Sequence, residues 1–62
     1  MATTLAKYQF DSASTAEAVF SRIRNELING IERFGDTIHI GSDCENISKA
    51  SQICQANGGR AV

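Results

Sequence analysis

Two cysteines, one histidine and seven carboxylates are the side chains of this 62-residue sequence that could do chemistry. Cys44 sits inside Ser42-Asp43-Cys44-Glu45, an S-x-x-E pattern that signals a helix start. A thiol in the first turn of a helix feels the positive end of the helix dipole, which favours the thiolate and would suit a reactive or redox-sensing group. Asp43 and Glu45 oppose that effect, and a free cysteine is more often a small buried apolar side chain. Cys54 follows ten positions later. On one intact helix that is about 15 Å of rise, whereas a disulfide needs Cα atoms within about 7 Å. An intrachain bridge is therefore not expected. A zinc site would have to draw on His39 and carboxylates, and His39, Asp43 and Cys44 do not match a structural zinc spacing. His39 on a strand could be oriented by Glu32, but catalysis needs a nucleophile within reach, and only Thr37 lies nearby on the same strand. The expectation is a solvated histidine. The glycines form neither dinucleotide nor phosphate-loop fingerprints. No catalytic residues, metal or cofactor are expected, and the chain does not read as an enzyme.

The elements that position these groups follow from periodicity. Ser14 to Gly30 reads as an amphipathic helix, with Ser14-Thr15-Ala16-Glu17 as a capping box and Asn29-Gly30 as its stop. Ala16, Val19, Phe20, Ile23 and Leu27 make its apolar stripe. Leu5 to Phe10 alternates as a strand, with Tyr8 and Phe10 toward the helix and Lys7 and Gln9 outward. Ile31 to Ile40 is broken by Gly35-Asp36, which suits a type II′ hairpin loop. In that register Ile31 opposes Ile40 and Arg33 opposes Ile38 on the core face. Glu32 then opposes His39, and Phe34 opposes Thr37, on the other. Arg33 is a misfit among isoleucines that must carry its charge outward. A second helix is expected from Ser42, with Ile47, Ala50, Ile53 and Cys54 as its stripe and Asn57-Gly58-Gly59 as its stop. Arg60-Ala61-Val62 could add a short edge strand or fray. Ser14, Glu17, Asn29 and Gly30 match Ser42, Glu45, Asn57 and Gly58 at one offset, as either a strand–helix pseudo-repeat or a coincidence of common caps.

The order β-α-β-β-α, with a possible last β, predicts one α+β domain over residues 1–62. It is a two-layer sandwich with a ferredoxin-like antiparallel sheet and two helices on one face. The arrangement resembles small heavy-metal-binding and ACT-like regulatory domains at the level of fold alone. The former carry Cys-x-x-Cys in the first loop, where this chain has Asp11-Ser12-Ala13-Ser14, so metal carriage is not implied. A net charge of −1 with no basic run argues against nucleic-acid binding. The start of the chain has no basic segment followed by an apolar run, and no stretch is long enough to span a membrane. A cytoplasmic protein with reduced cysteines is expected.

A domain this short buries only about 60% of its unfolded surface, which makes a partner subunit a natural source of stability. The open sheet face carries Phe34, Thr37, His39, Lys7 and Gln9, a polar surface with one aromatic anchor. Phe34 could instead fold over the hairpin end and cap the core. The expected function is a non-enzymatic protein–protein interaction or adaptor module, self-associating as a homodimer or binding another protein. The alternative is a small regulatory domain that binds a ligand or senses redox state through Cys44.

Overall fold

A computed structural model describes residues 3–62. The chain runs β1 (Thr4–Gln9), α1 (Ala13–Asn25), β2 (Ile31–Phe34), β3 (Thr37–Gly41), α2 (Ile47–Ala56) and β4 (Arg60–Ala61). The strands form one antiparallel sheet in the order β2-β3-β1-β4. β3 lies beside β1, as the ferredoxin-like arrangement requires. The fourth strand is stunted to two residues, so Arg60-Ala61 pairs with β1 only at Gln9 and Tyr8. A bulge between Thr4 and Ala6 leaves Leu5 as the extra residue on β1.

Period-two alternation sorts the sheet except at the Leu5 bulge and at Arg33, which is exposed. Tyr8, Ile31, Ile38 and Ile40 are buried, and with Phe10 they join Ala16, Val19 and Ile23 of α1 and Ala50 and Cys54 of α2 in one core. The β2–β3 hairpin has the predicted register at all four pairs, from Ile31 opposite Ile40 to Phe34 opposite Thr37. Gly35 has φ +62°, and Asp36 does not share the positive φ, which is the type II′ signature. Arg33 reaches back to donate from Nη1 to the Gly35 carbonyl at 2.9 Å, keeping its charge outside the core.

Both helices start elsewhere than the S-x-x-E patterns suggest. The N-cap of α1 is Ser12, whose Oγ accepts from the Thr15 amide at 3.1 Å, two residues before the expected Ser14. The helix ends at Asn25 rather than at Asn29-Gly30. Leu27, expected on the apolar stripe, has φ +60° and is 81% exposed. It occupies the left-handed exit position that usually takes glycine, and the turn it makes delivers Ile28, not Leu27, to the core. In the second half, α2 begins four residues after the S-x-x-E run would start it. Asn46 is its N-cap, accepting from the Lys49 amide at 3.1 Å. Its end is as expected. Gly59 N–H reaches the Cys54 carbonyl at 2.8 Å and Gly58 N–H the Gln55 carbonyl at 3.3 Å, with Gly58 at φ +87°. These are the two bonds of a Schellman motif. With N-caps at Ser12 and Asn46, the two helices do not share one frame, and the pseudo-repeat is not kept.

The residues that mimic caps are used to fasten loops. Ser42 exchanges hydrogen bonds with Thr3: its N–H donates to the Thr3 carbonyl at 2.7 Å, and its Oγ accepts from the Thr3 amide at 3.1 Å. Asn29 donates from Nδ2 to Glu45 Oε1 at 2.9 Å. Gly30 lies against the backbone of Cys44 and Asp43. The connections before β2 and before α2 are thus zipped together. Lys49 Nζ pairs with Glu26 Oε1 at 2.6 Å between the end of α1 and the start of α2, which holds the Glu26 carboxyl below its ordinary range.

Candidate interaction face

The face of the sheet away from the helices is uncovered. Its side chains fall in two cross-strand rows. One runs Glu32, His39, Lys7 and then Val62, whose N–H donates to the Lys7 carbonyl at 3.0 Å. The other runs Phe34, Thr37, Gln9 and Arg60. All five residues expected on the open face, Phe34, Thr37, His39, Lys7 and Gln9, lie together on it. Phe34 does not fold over the core: it is 56% exposed and packs against the His39 ring, with centroids 4.8 Å apart and planes tilted by 57°. This is the diagonal cross-strand contact open to aromatic side chains. His39 is therefore only partly exposed, held between Glu32, Lys7 and Phe34.

The hairpin loop adds a group whose role the sequence does not announce. The Asp36 carboxylate accepts from Thr37 Oγ1 at 3.1 Å and from Gln9 Nε2 at 3.4 Å. The Asp36 carbonyl accepts from the Phe10 amide at 2.9 Å. One aspartate thus ties the β2–β3 loop to the end of β1 and fixes the Phe34 end of the face. Its only signal in sequence is its place after Gly35 in the turn.

From Phe34 toward the start of β1, a cleft of about 310 Å³ opens along β2 and β3, lined by Thr4, Gly30, Glu32, Phe34, His39 and Asp43 among others. Gly41 lies in its floor, and the Asp43 carboxylate reaches to 2.8 Å from where a Cβ on Gly41 would be. Asp43 thereby fills the space of the absent side chain and adds a second carboxylate residue to the lining that holds Glu32. Charge on the face is consequently divided. Acids (Glu32, Asp36, Asp43) lie on the β2–β3 side, and bases (Lys7, Arg60) lie on the β1–β4 side.

The cysteines are elsewhere. Cys44 is not in the first turn of a helix: it lies in the turn between β3 and α2, three residues before α2 begins, and is 8% exposed. The dipole argument for a reactive thiolate there is lost, and the side chain packs in the core. Cys54 is fully buried in α2, and both thiols are free. Burial pushes the Cys54 thiol up from 9.0 to about 11, because the core cannot solvate a thiolate.

That shift gives a pH dependence with a definite sign. The unfolded thiol ionises near 9.0 and the folded one near 11, so between these values the unfolded state loses its proton first. Stability is unaffected by Cys54 below the lower value, falls as pH rises through the window, and levels off above it. The urea midpoint of the wild type is expected to drop more between about pH 8.5 and about pH 10.5 than that of Cys54→Ala, the difference isolating Cys54 from lysine and tyrosine titration. Parallel curves for the two proteins would show that Cys54 is not the group responsible.

Among the described residues, no three His, Cys, Asp or Glu side chains form a group that could hold a metal ion. No helix there is long and apolar enough to cross a membrane. The chain matches no family of known proteins, no curated protein and no solved structure.

Proposed function

We propose that this chain is a small non-enzymatic protein–protein interaction module that self-associates through the helix-free face of its sheet, in the cytoplasm. The observation that carries this reading is where two of the four exposed large apolar side chains among the described residues lie, Leu5 and Leu27 being the other two. Phe34 is 56% exposed and Val62 66% exposed, and both belong to the open face, one in each cross-strand row. An exposed aromatic held in place by a neighbouring ring has little conformational freedom left to lose, which is what a binding anchor requires. The chain is also short enough that covering this face would add materially to its stability. The runner-up, a regulatory domain sensing redox state through Cys44, is weakened by the burial of that thiol away from any helix start. A ligand-binding role would rest on the cleft beside Glu32 and Asp43.

Phe34→Ser removes the anchor without touching the core, since Phe34 packs on His39 at the surface. Sedimentation velocity across a concentration series is expected to show association in the wild type. In the variant, association should be weakened at least about tenfold, the loss of an aromatic anchor being worth roughly 2 kcal/mol. Circular dichroism should be unchanged. Equal association of the two proteins would refute the open face as the contact.

A further inference from the structure

The division of charge on the open face specifies how a second copy would sit on it, an inference that rests on the self-association proposed above. Lys7 and Glu32 stand in one cross-strand row with His39 between them. Two strand spacings, about 10 Å, separate them, and with His39 between them they form no ion pair with each other within the chain. With the strands of the two sheets aligned, two such faces can stack about either of two in-plane twofold axes. An axis across the strands lays β2 on β2 and β1 on β1, bringing acidic side against acidic side and basic against basic. An axis parallel to the strands lays β3 on β1 and β2 on β4, bringing the Glu32 and Asp43 side over the Lys7 and Arg60 side. Like charges directly opposed destabilise an interface, and opposite ones set its orientation.

We propose that two copies associate face to face about a twofold axis parallel to their strands, with Glu32 of each copy meeting Lys7 of the partner subunit. Stacked sheets lie about 10 Å apart, and Lys7 of the partner subunit, on β1 over β3, stands one strand, about 5 Å, to the side of Glu32, an offset that extended lysine and glutamate side chains pointing into the gap can close. Lys7 of the partner subunit then arrives above His39, beside the cleft whose lining supplies Glu32 and Asp43 and no lysine or arginine. The pairing is isologous, so each pair is formed twice and each substitution acts twice.

Charge reversal and charge swap test this placement. Lys7→Glu and Glu32→Lys, both at exposed positions, are each expected to weaken dimerisation about tenfold or more, two copies of a surface pair being lost and replaced by repulsion. The double variant, carrying the exchanged pair, should return to within about threefold of the wild type. Association of the wild type should weaken as salt is raised. Far-UV circular dichroism confirms that each variant is folded. If the double variant associates no better than either single one while Phe34→Ser still dissociates the dimer, the open face remains the contact and the axis proposed here is wrong. If the wild type sediments as a monomer at every concentration, self-association itself falls, and this arrangement with it.

Discussion

Gly30→Ala is expected to be the most damaging single-methyl change in the chain. Gly30 has φ +85°, a conformation that costs an alanine about 1 kcal/mol or more. Steric overlap adds more than the backbone conformation does. A Cβ there would lie 2.5 Å from Cys44 Cα, 2.6 Å from Cys44 N and 2.8 Å from the Asp43 carbonyl carbon, all backbone atoms. None of them can swing aside as a side chain could. Relief would require parting the connection before β2 from the turn before α2, and with it the Asn29–Glu45 hydrogen bond and the Gly41 N–H bond to the Gly30 carbonyl at 2.8 Å. A loss of at least about 3 kcal/mol is expected. A domain of this size has only about 3–9 kcal/mol to lose. Urea denaturation followed by circular dichroism measures it. Gly35→Ala is the control: its φ is +62° but nothing lies within 4 Å of the new methyl, so only the conformational part, about 1 kcal/mol, should appear. Equal losses in the two variants would show that the close approach at Gly30 contributes nothing.

Phe10→Ala should cost about as much by the opposite route, removing volume instead of adding it. Phe10 is 2% exposed and is the largest of the fully buried side chains. It follows β1 and closes the end of the core where the Schellman turn of α2 passes over it. A Cβ on Gly59 would meet its ring at 2.9 Å. Truncation leaves a cavity beneath backbone that the two Schellman bonds hold in place, so collapse is limited. Losses for such changes run to about 3–5 kcal/mol. Thermal or urea unfolding of Phe10→Ala and Phe10→Leu checks this. Leucine should recover a substantial part of the loss, and no difference between the two would mean that the cavity is not the cause.

The sheet is legible in the sequence because its rules are local and strict. Period two admits no partial error: once Gly35-Asp36 is taken as a two-residue loop, every pair from Ile31–Ile40 to Phe34–Thr37 follows, and the five open-face residues fall on one side. The helix ends are not legible in the same way, because capping residues are chemically ambiguous. Ser12 and Ser14 are equally able to accept an amide hydrogen bond, and Asn46 competes with Ser42. Tertiary contacts decide between them. Ser42 is engaged by Thr3 and Glu45 by Asn29, so neither is free to cap a helix. The expectation of a reactive Cys44 fails for the same reason, since it depends on a helix start that lies elsewhere. Leu27 is misplaced by a related route. The apolar period continues through it, but the helix does not, and the positive φ that turns the chain there is one a leucine rarely signals.

The strand order also sets the order in which the molecule can be made. Only β2 and β3 are neighbours both in sequence and in the sheet. The strand synthesised first, β1, is a central one, and its two partners are residues 37–41 and 60–61. Until these exist, Tyr8 and Phe10 have no sheet to close over them, and an N-terminal fragment ending before residue 37 has nothing for β1 to pair with. Long-range pairings of this kind are slow to nucleate, because chain closure must precede the contacts that reward it. The hairpin can form early, but the sheet over the core is completed only when β4 meets β1 at Gln9 and Arg60. Any portion of the sequence that stops short of residues 60–61 would therefore still expose apolar residues that the finished domain conceals.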